Sequence, residues 1–177
     1  MRVKPFITKR SLLLIGAIVL TAGITVVITM LVLRSAASVL PTDISRDITF
    51  SPLVPANSSN YKATDYMIGK NESGAQILTY NLYSPAQKKV VISEQSQPQE
   101  FTDIPEYKDK FLENKKDATV ASASGTIYLF RGTKQTNKEA GLMLENGLLI
   151  FLNPETPLSK DEWRAIGDQL SLQRIKK

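Results

Sequence analysis

Few side chains in this sequence can do chemistry. Its 177 residues include no histidine and no cysteine. That removes the imidazole general base, the thiolate nucleophile, the Ser-His-Asp triad and the Cys/His zinc site. Carboxylates, hydroxyls and amines remain. Glu94 and Glu100 stand near the end of a β-patterned stretch and are the pair that could divide acid and base roles across a glycosidic bond. Nothing in their spacing sets them at a working separation, and with seventeen acids in the chain such pairs arise by chance. Both are expected to be solvated surface charges. Ser159 beside Lys160 offers a Ser–Lys nucleophile, but Ser159-Lys160-Asp161-Glu162 is also a capping box, which commits the hydroxyl to a backbone N–H. The nine glycines form neither GxGxxG nor a P-loop, and there is no EF-hand loop. Asn57-Ser58-Ser59 and Asn71-Glu72-Ser73 match the glycosylation sequon, with turn chemistry as the simpler reading. No catalytic, metal or cofactor residue is expected, and the chain reads as non-enzymatic.

The elements that would position any site begin with residues 11–33, a run of 23 residues without a charge or a proline. As a helix it is about 34 Å long, enough to cross a hydrocarbon core of about 30 Å. Its flanks account for the net charge of +5: residues 1–34 carry five Lys/Arg and no acid, and the rest carries seventeen of each sign. The basic balance therefore describes a membrane flank and does not point to nucleic acid. Arg2, Lys4, Lys9 and Arg10 precede the run and only Arg34 follows it closely. They set a cytoplasmic N-terminus and an extracytoplasmic remainder at the cell membrane. Ser35-Ala36-Ala37 offers a signal-peptidase alternative with cleavage after Ala37. The apolar run exceeds the 7–15 residues of a signal peptide core, which favours an uncleaved anchor. Ala17, Thr21, Thr25 and Thr29 recur every four residues. This small-residue stripe suits a homodimer through the span; the alternative is that each Thr bonds its own helix and faces lipid.

The organisation expected is a stub (1–10), a transmembrane helix (11–33), a proline-bearing stalk (34–60) with a short strand at 47–50, and an α+β domain (61–177). Strands are expected at 61–68, 76–83 and 88–95, the last two as an antiparallel pair because Leu78, Tyr80 and Leu82 alternate with polar residues. A helix is expected at 104–113 and strands at 118–122 and 126–131. Two apolar strands flanking Asn146-Gly147 read as a type I′ hairpin. Residues 148–152 are apolar on both faces and should form a central strand. The capped helix from Ser159 to about residue 170 places Trp163, Ile166 and Leu170 on one face, to dock it on the sheet. The sum is six to eight largely antiparallel strands with two helices, the C-terminal one packed on the sheet.

The order of elements carries a resemblance. It runs from a Pro-containing entry (Phe50-Ser51-Pro52-Leu53-Val54-Pro55) through paired strands, a strand ending in a Glu/Gln segment (Val90 to Gln95) and a short helix. A Gly-led strand, an apolar hairpin and the capped terminal helix follow. This layout resembles the extracytoplasmic β-rich domains of unknown function that follow a single span in bacterial membrane proteins, relatives of which end some anti-sigma factors and surface lipoproteins. The ten residues before the span are too few for a sigma-binding domain. The resemblance implies a membrane-anchored domain that binds another cell-envelope component, protein or wall polymer. The alternative, from another class, is a carrier or sensor of an apolar ligand such as a lipid. An unfilled apolar cavity between sheet and helix would favour the carrier.

Overall fold

A computed structural model describes residues 40–113, 117–131 and 139–175. The span (11–33), its Ala17/Thr21/Thr25/Thr29 face and the topology residues Arg2, Lys4, Lys9 and Arg10 lie outside the described residues. Among the described residues no helix is long and apolar enough to cross a membrane.

The described chain is α+β as expected, with a seven-stranded sheet, a separate two-stranded sheet and four helices, two helices more than the periodicity announces because Thr42–Asp47 and Glu100–Asp103 are only one turn or so long. Strands β2 (Lys62–Lys70), β3 (Gln76–Tyr83), β4 (Lys89–Ser96), β5 (Ala118–Ser122), β6 (Gly125–Arg131), β7 (Glu139–Glu145) and β8 (Leu148–Pro154) form one sheet. Its order is β2-β3-β4-β8-β7-β6-β5, antiparallel at every pairing. Two meanders, β2–β4 and β5–β8, thus meet edge to edge at β4 and β8. Strand β8 is central, as its two apolar faces require. Asn146 and Gly147 both have φ above zero (54° and 73°), the type I′ geometry that matches strand twist.

The pleat divides the side chains between two faces. On the first, Leu78, Tyr80, Leu82, Val90, Ile92, Ile150 and Leu152 are buried. Helix α4 (Lys160–Gln169) covers the β5–β7 end of this face. Its capping box is formed: Ser159 Oγ accepts from Glu162 N at 3.2 Å, and Ser159 N donates to Glu162 Oε2 at 2.8 Å. Trp163 is fully buried and its indole N–H donates to Glu139 Oε1 at 2.7 Å. Gly141 makes room for the ring, since a Cβ there would stand 2.9 Å from Trp163 Cζ3.

The remainder of that face is closed by the segment expected to be a stalk. From residue 40 onward it is built into the domain. Helix α1 (Thr42–Asp47) ends where a strand at 47–50 is expected, and residues 48–50 form no strand. It follows the spacing Leu40, Ile44, Ile48, a one-sided helical stripe, and all three are buried. Gln76 anchors its end: the amide group accepts from Thr49 N and donates to Asp47 O. Strand β1 (Leu53–Pro55) then pairs with β9 (Leu170–Leu172), a strand directly after α4 that the periodicity does not announce. Apolar burial outweighs the three prolines of the entry here, because β1 is an edge element where the missing N–H is tolerated.

On the opposite face, helices α2 (Glu100–Asp103) and α3 (Pro105–Glu113) lie over the β6–β8 half. Phe101 and Leu112 pack with Leu142, Leu144 and Leu149. No described helix lies over the β2–β4 half of this face. Met67 is 64% exposed there, and Ile77, Thr79, Asn81, Tyr83 and Val91 are half-buried.

Candidate functional site

Period two in Val90, Ile92, Glu94 places Glu94 on the apolar face of β4. The structure buries it completely, so the expectation of a solvated charge is corrected. The reason is the neighbouring element. Strand β1 bonds to β9 through Pro52 and Ala56, whose partners are Gln173 N (2.8 Å) and Gln169 O (3.0 Å). These residues are even-numbered, so the odd-numbered Leu53 turns its backbone groups the other way, toward the sheet face. No strand meets them there. Glu94 Oε2 accepts from Leu53 N at 2.8 Å and Tyr80 Oη donates to Leu53 O at 2.7 Å. Two side chains thus stand in for a missing strand.

The ring closes through a third contact of 3.1 Å between Tyr80 Oη and Glu94 Oε1. A phenol has one proton, and the shorter bond to Leu53 O uses it. The second contact is then satisfied by a proton on the Glu94 carboxyl, donated from Oε1 to the phenolic oxygen. The electrostatics agree. Burial pushes the Glu94 carboxyl up to about 8, against the lowering effect of the bond from Leu53 N–H. Desolvation, with the nearby carboxyl, also holds Tyr80 well above the ordinary phenol range and raises Tyr66 to about 12. Tyr66 arrives by a β-bulge: Thr64 pairs with Asn81 and Met67 with Thr79, so Asp65 and Tyr66 face Tyr80 alone. Asp65 adopts φ 55° and its carboxylate accepts from Asn81 Nδ2 and Thr64 Oγ1. The Tyr66 ring then lies 5.2 Å from that of Tyr80, and its buried hydroxyl has no partner.

Glu100 begins α2, exposed, on the opposite face of the sheet from Glu94. The structure does not bring the two carboxyls together, and Glu94 lacks the open side that a substrate needs. Ser159 is engaged as the helix cap, with Lys160 exposed beside it. Asn71 forms a turn: its Oδ1 accepts from Ser73 Oγ and Ala75 N, and its Nδ2 donates to Gln95 Oε1. Asn57 lies in an exposed turn. Among the described residues no cluster of three or more acidic groups could hold a metal ion.

Two apolar clefts remain. One, of about 180 Å³, lies between α4 and the β3–β4 turn. Leu82, Val90, Leu158 and Ile166 are apolar lining, while Tyr61 and the Lys88–Glu162 pair (2.7 Å) supply polar groups. The other, also about 180 Å³, is walled by Phe111, Phe130, Leu142 and Phe151, between α3 and the sheet. Their signals in sequence are weak, because ordinary core strands have the same apolar alternation. The Glu94 ring was the more legible of the two kinds of site: strict alternation in β4 already sets an acid among apolar neighbours.

No protein-family model matches the chain, and no curated protein or solved structure matches it.

Proposed function

We propose that this chain is a single-pass membrane protein whose described domain is a non-enzymatic binding module, displayed outside the membrane for another cell-envelope component. The observation that carries the binding part is the uncovered β2–β4 half-face. It presents exposed Met67 and half-buried Ile77, Thr79, Asn81, Tyr83 and Val91, a mixture of apolar, hydroxyl and amide groups. Such surfaces give a partner both apolar contact and hydrogen bonds, as protein interfaces do. The absence of histidine and cysteine, together with a buried Glu94 and a solvated Glu100 on opposite faces, supports a non-catalytic reading.

The carrier reading draws on the two apolar clefts, since each lies between a helix and the sheet; a third cleft, of about 440 Å³, is walled mainly by polar groups and does not suit an apolar ligand. The size of the apolar clefts weighs against it. A cavity of about 150 Å³ takes benzene, and drug-sized ligands need about 300–1,000 Å³. Either cleft at about 180 Å³ holds a ring or a short branched group and leaves an acyl chain outside.

Crosslinking in native membranes followed by mass spectrometry separates the readings. Wild type should capture a discrete partner, and Met67→Lys should lose it while keeping the fold. A chain that captures nothing and purifies with bound lipid would overturn the binding-module reading in favour of the carrier.

A further inference from the structure

The Glu94 ring does more than fill a core. It fastens β1, the first strand of the domain, to the main sheet. The hydrogen bonds are specific about protonation. With the carboxyl neutral, Leu53 N–H donates to Glu94 Oε2, Glu94 Oε1–H donates to Tyr80 Oη, and Tyr80 O–H donates to Leu53 O, and every group is satisfied. With the carboxyl ionised, one proton leaves the ring. The single phenolic proton must then choose between Leu53 O and a carboxylate, and the charged acceptor is the stronger. The Leu53 carbonyl is left without a donor in a buried place, and an unpaired charge sits beside it, both costly. Water can relieve this only if β1 lifts away from the sheet.

We propose that Glu94, Tyr80 and the Leu53 backbone form a proton-dependent latch, closed when Glu94 is neutral and loosened when it ionises, that governs the attachment of β1 to the sheet. The groups facing Glu94 are consistent with a single titrating centre. Tyr80 faces it from β3 and Tyr66 from β2, and both phenols are raised by burial and by Glu94 itself. Its cross-strand neighbour on β8 is Ile150 and its neighbour on β1 is Leu53, both apolar. The carboxyl, raised to about 8, titrates first.

Hydrogen exchange on the full chain in detergent micelles tests this. After correction for the pH dependence of chemical exchange, protection of residues 48–56 in wild type should fall at least about tenfold between pH 6 and pH 9.5, with β8 remaining the better protected strand. In Glu94→Gln the amide accepts from Leu53 N and donates to Tyr80 Oη but cannot ionise, so protection there should be independent of pH. Tyr80→Phe removes the donor to Leu53 O and should lower protection of the same residues already at pH 6. Wild-type protection that stays constant over this range would overturn the latch, as would an equal fall in Glu94→Gln, or full protection at pH 6 in Tyr80→Phe.

Discussion

Raising the pH from about 4.5 to 8 should destabilise this fold through Glu94, opposite to the usual effect of a carboxylate. The folded-state carboxyl is raised, from 4.5 to about 8. Between those values the unfolded chain has released the proton and the folded chain still holds it. Stability therefore falls by about 1.4 kcal/mol per pH unit across the window and is level above and below it. The whole effect is about 5 kcal/mol, comparable with the total stability of a marginal domain. Glu94→Gln supplies the reference. Its amide keeps the bonds to Leu53 and Tyr80 but leaves one N–H unpaired, at a cost of about 1–3 kcal/mol. The variant should be less stable than wild type at pH 4.5 and more stable at pH 9, and the two profiles should cross between. Urea unfolding of the full chain in micelles, followed through the emission of Trp163, measures this, because Trp163 is the single tryptophan and is fully buried. Subtracting the two profiles removes every other titrating group. Parallel profiles from pH 5 to 8 would refute the neutral buried carboxyl and the ring built on it.

Other substitutions probe the supports. Gly167→Ala would overlap the Ser122 side chain at Cβ and Oγ. It should lift α4 from β5 at about 1–3 kcal/mol, and adding Ser122→Gly should recover most of the loss in denaturant unfolding. Leu152→Ala, at a fully buried position of the central strand, should cost about 2–5 kcal/mol by the same assay. Ser159→Ala breaks the capping box and should cost about 1 kcal/mol in the same unfolding assay.

Local signals in the sequence were enough for the elements whose causes are local. Alternation in 76–83 gave β3, the β-branched middle of 88–95 gave β4, Asn146-Gly147 gave the hairpin, and Ser159 with Glu162 gave the start of α4, each through contacts a few residues apart. The failures have distant causes. Residues 40–55 contain prolines and polar residues and read as a stalk, but Leu40, Ile44, Ile48 and Leu53 find their burial against strands far along the chain. Strand β9 exists because β1 offers it a partner. Glu94 is buried because Leu53, 41 residues away, presents two backbone groups without a strand to meet them. The alternation of β4 carried that information, and a general preference of acids for water overrode it. Tyr66 owes its place to a bulge at Asp65, a feature with no glycine to mark it.

The proposed function sets the β2–β4 half-face against a partner outside the membrane. The chain contains no cysteine, so a single Met67→Cys substitution gives one address on that face. A membrane-impermeant maleimide bearing a photoreactive group, applied to intact cells expressing the full chain, measures side and contact together. Labelling is expected without lysis and, after illumination, one discrete membrane-retained adduct that an Asp161→Cys control on α4 does not give. Labelling only after lysis, or the same adducts from both positions, would contradict the proposed function.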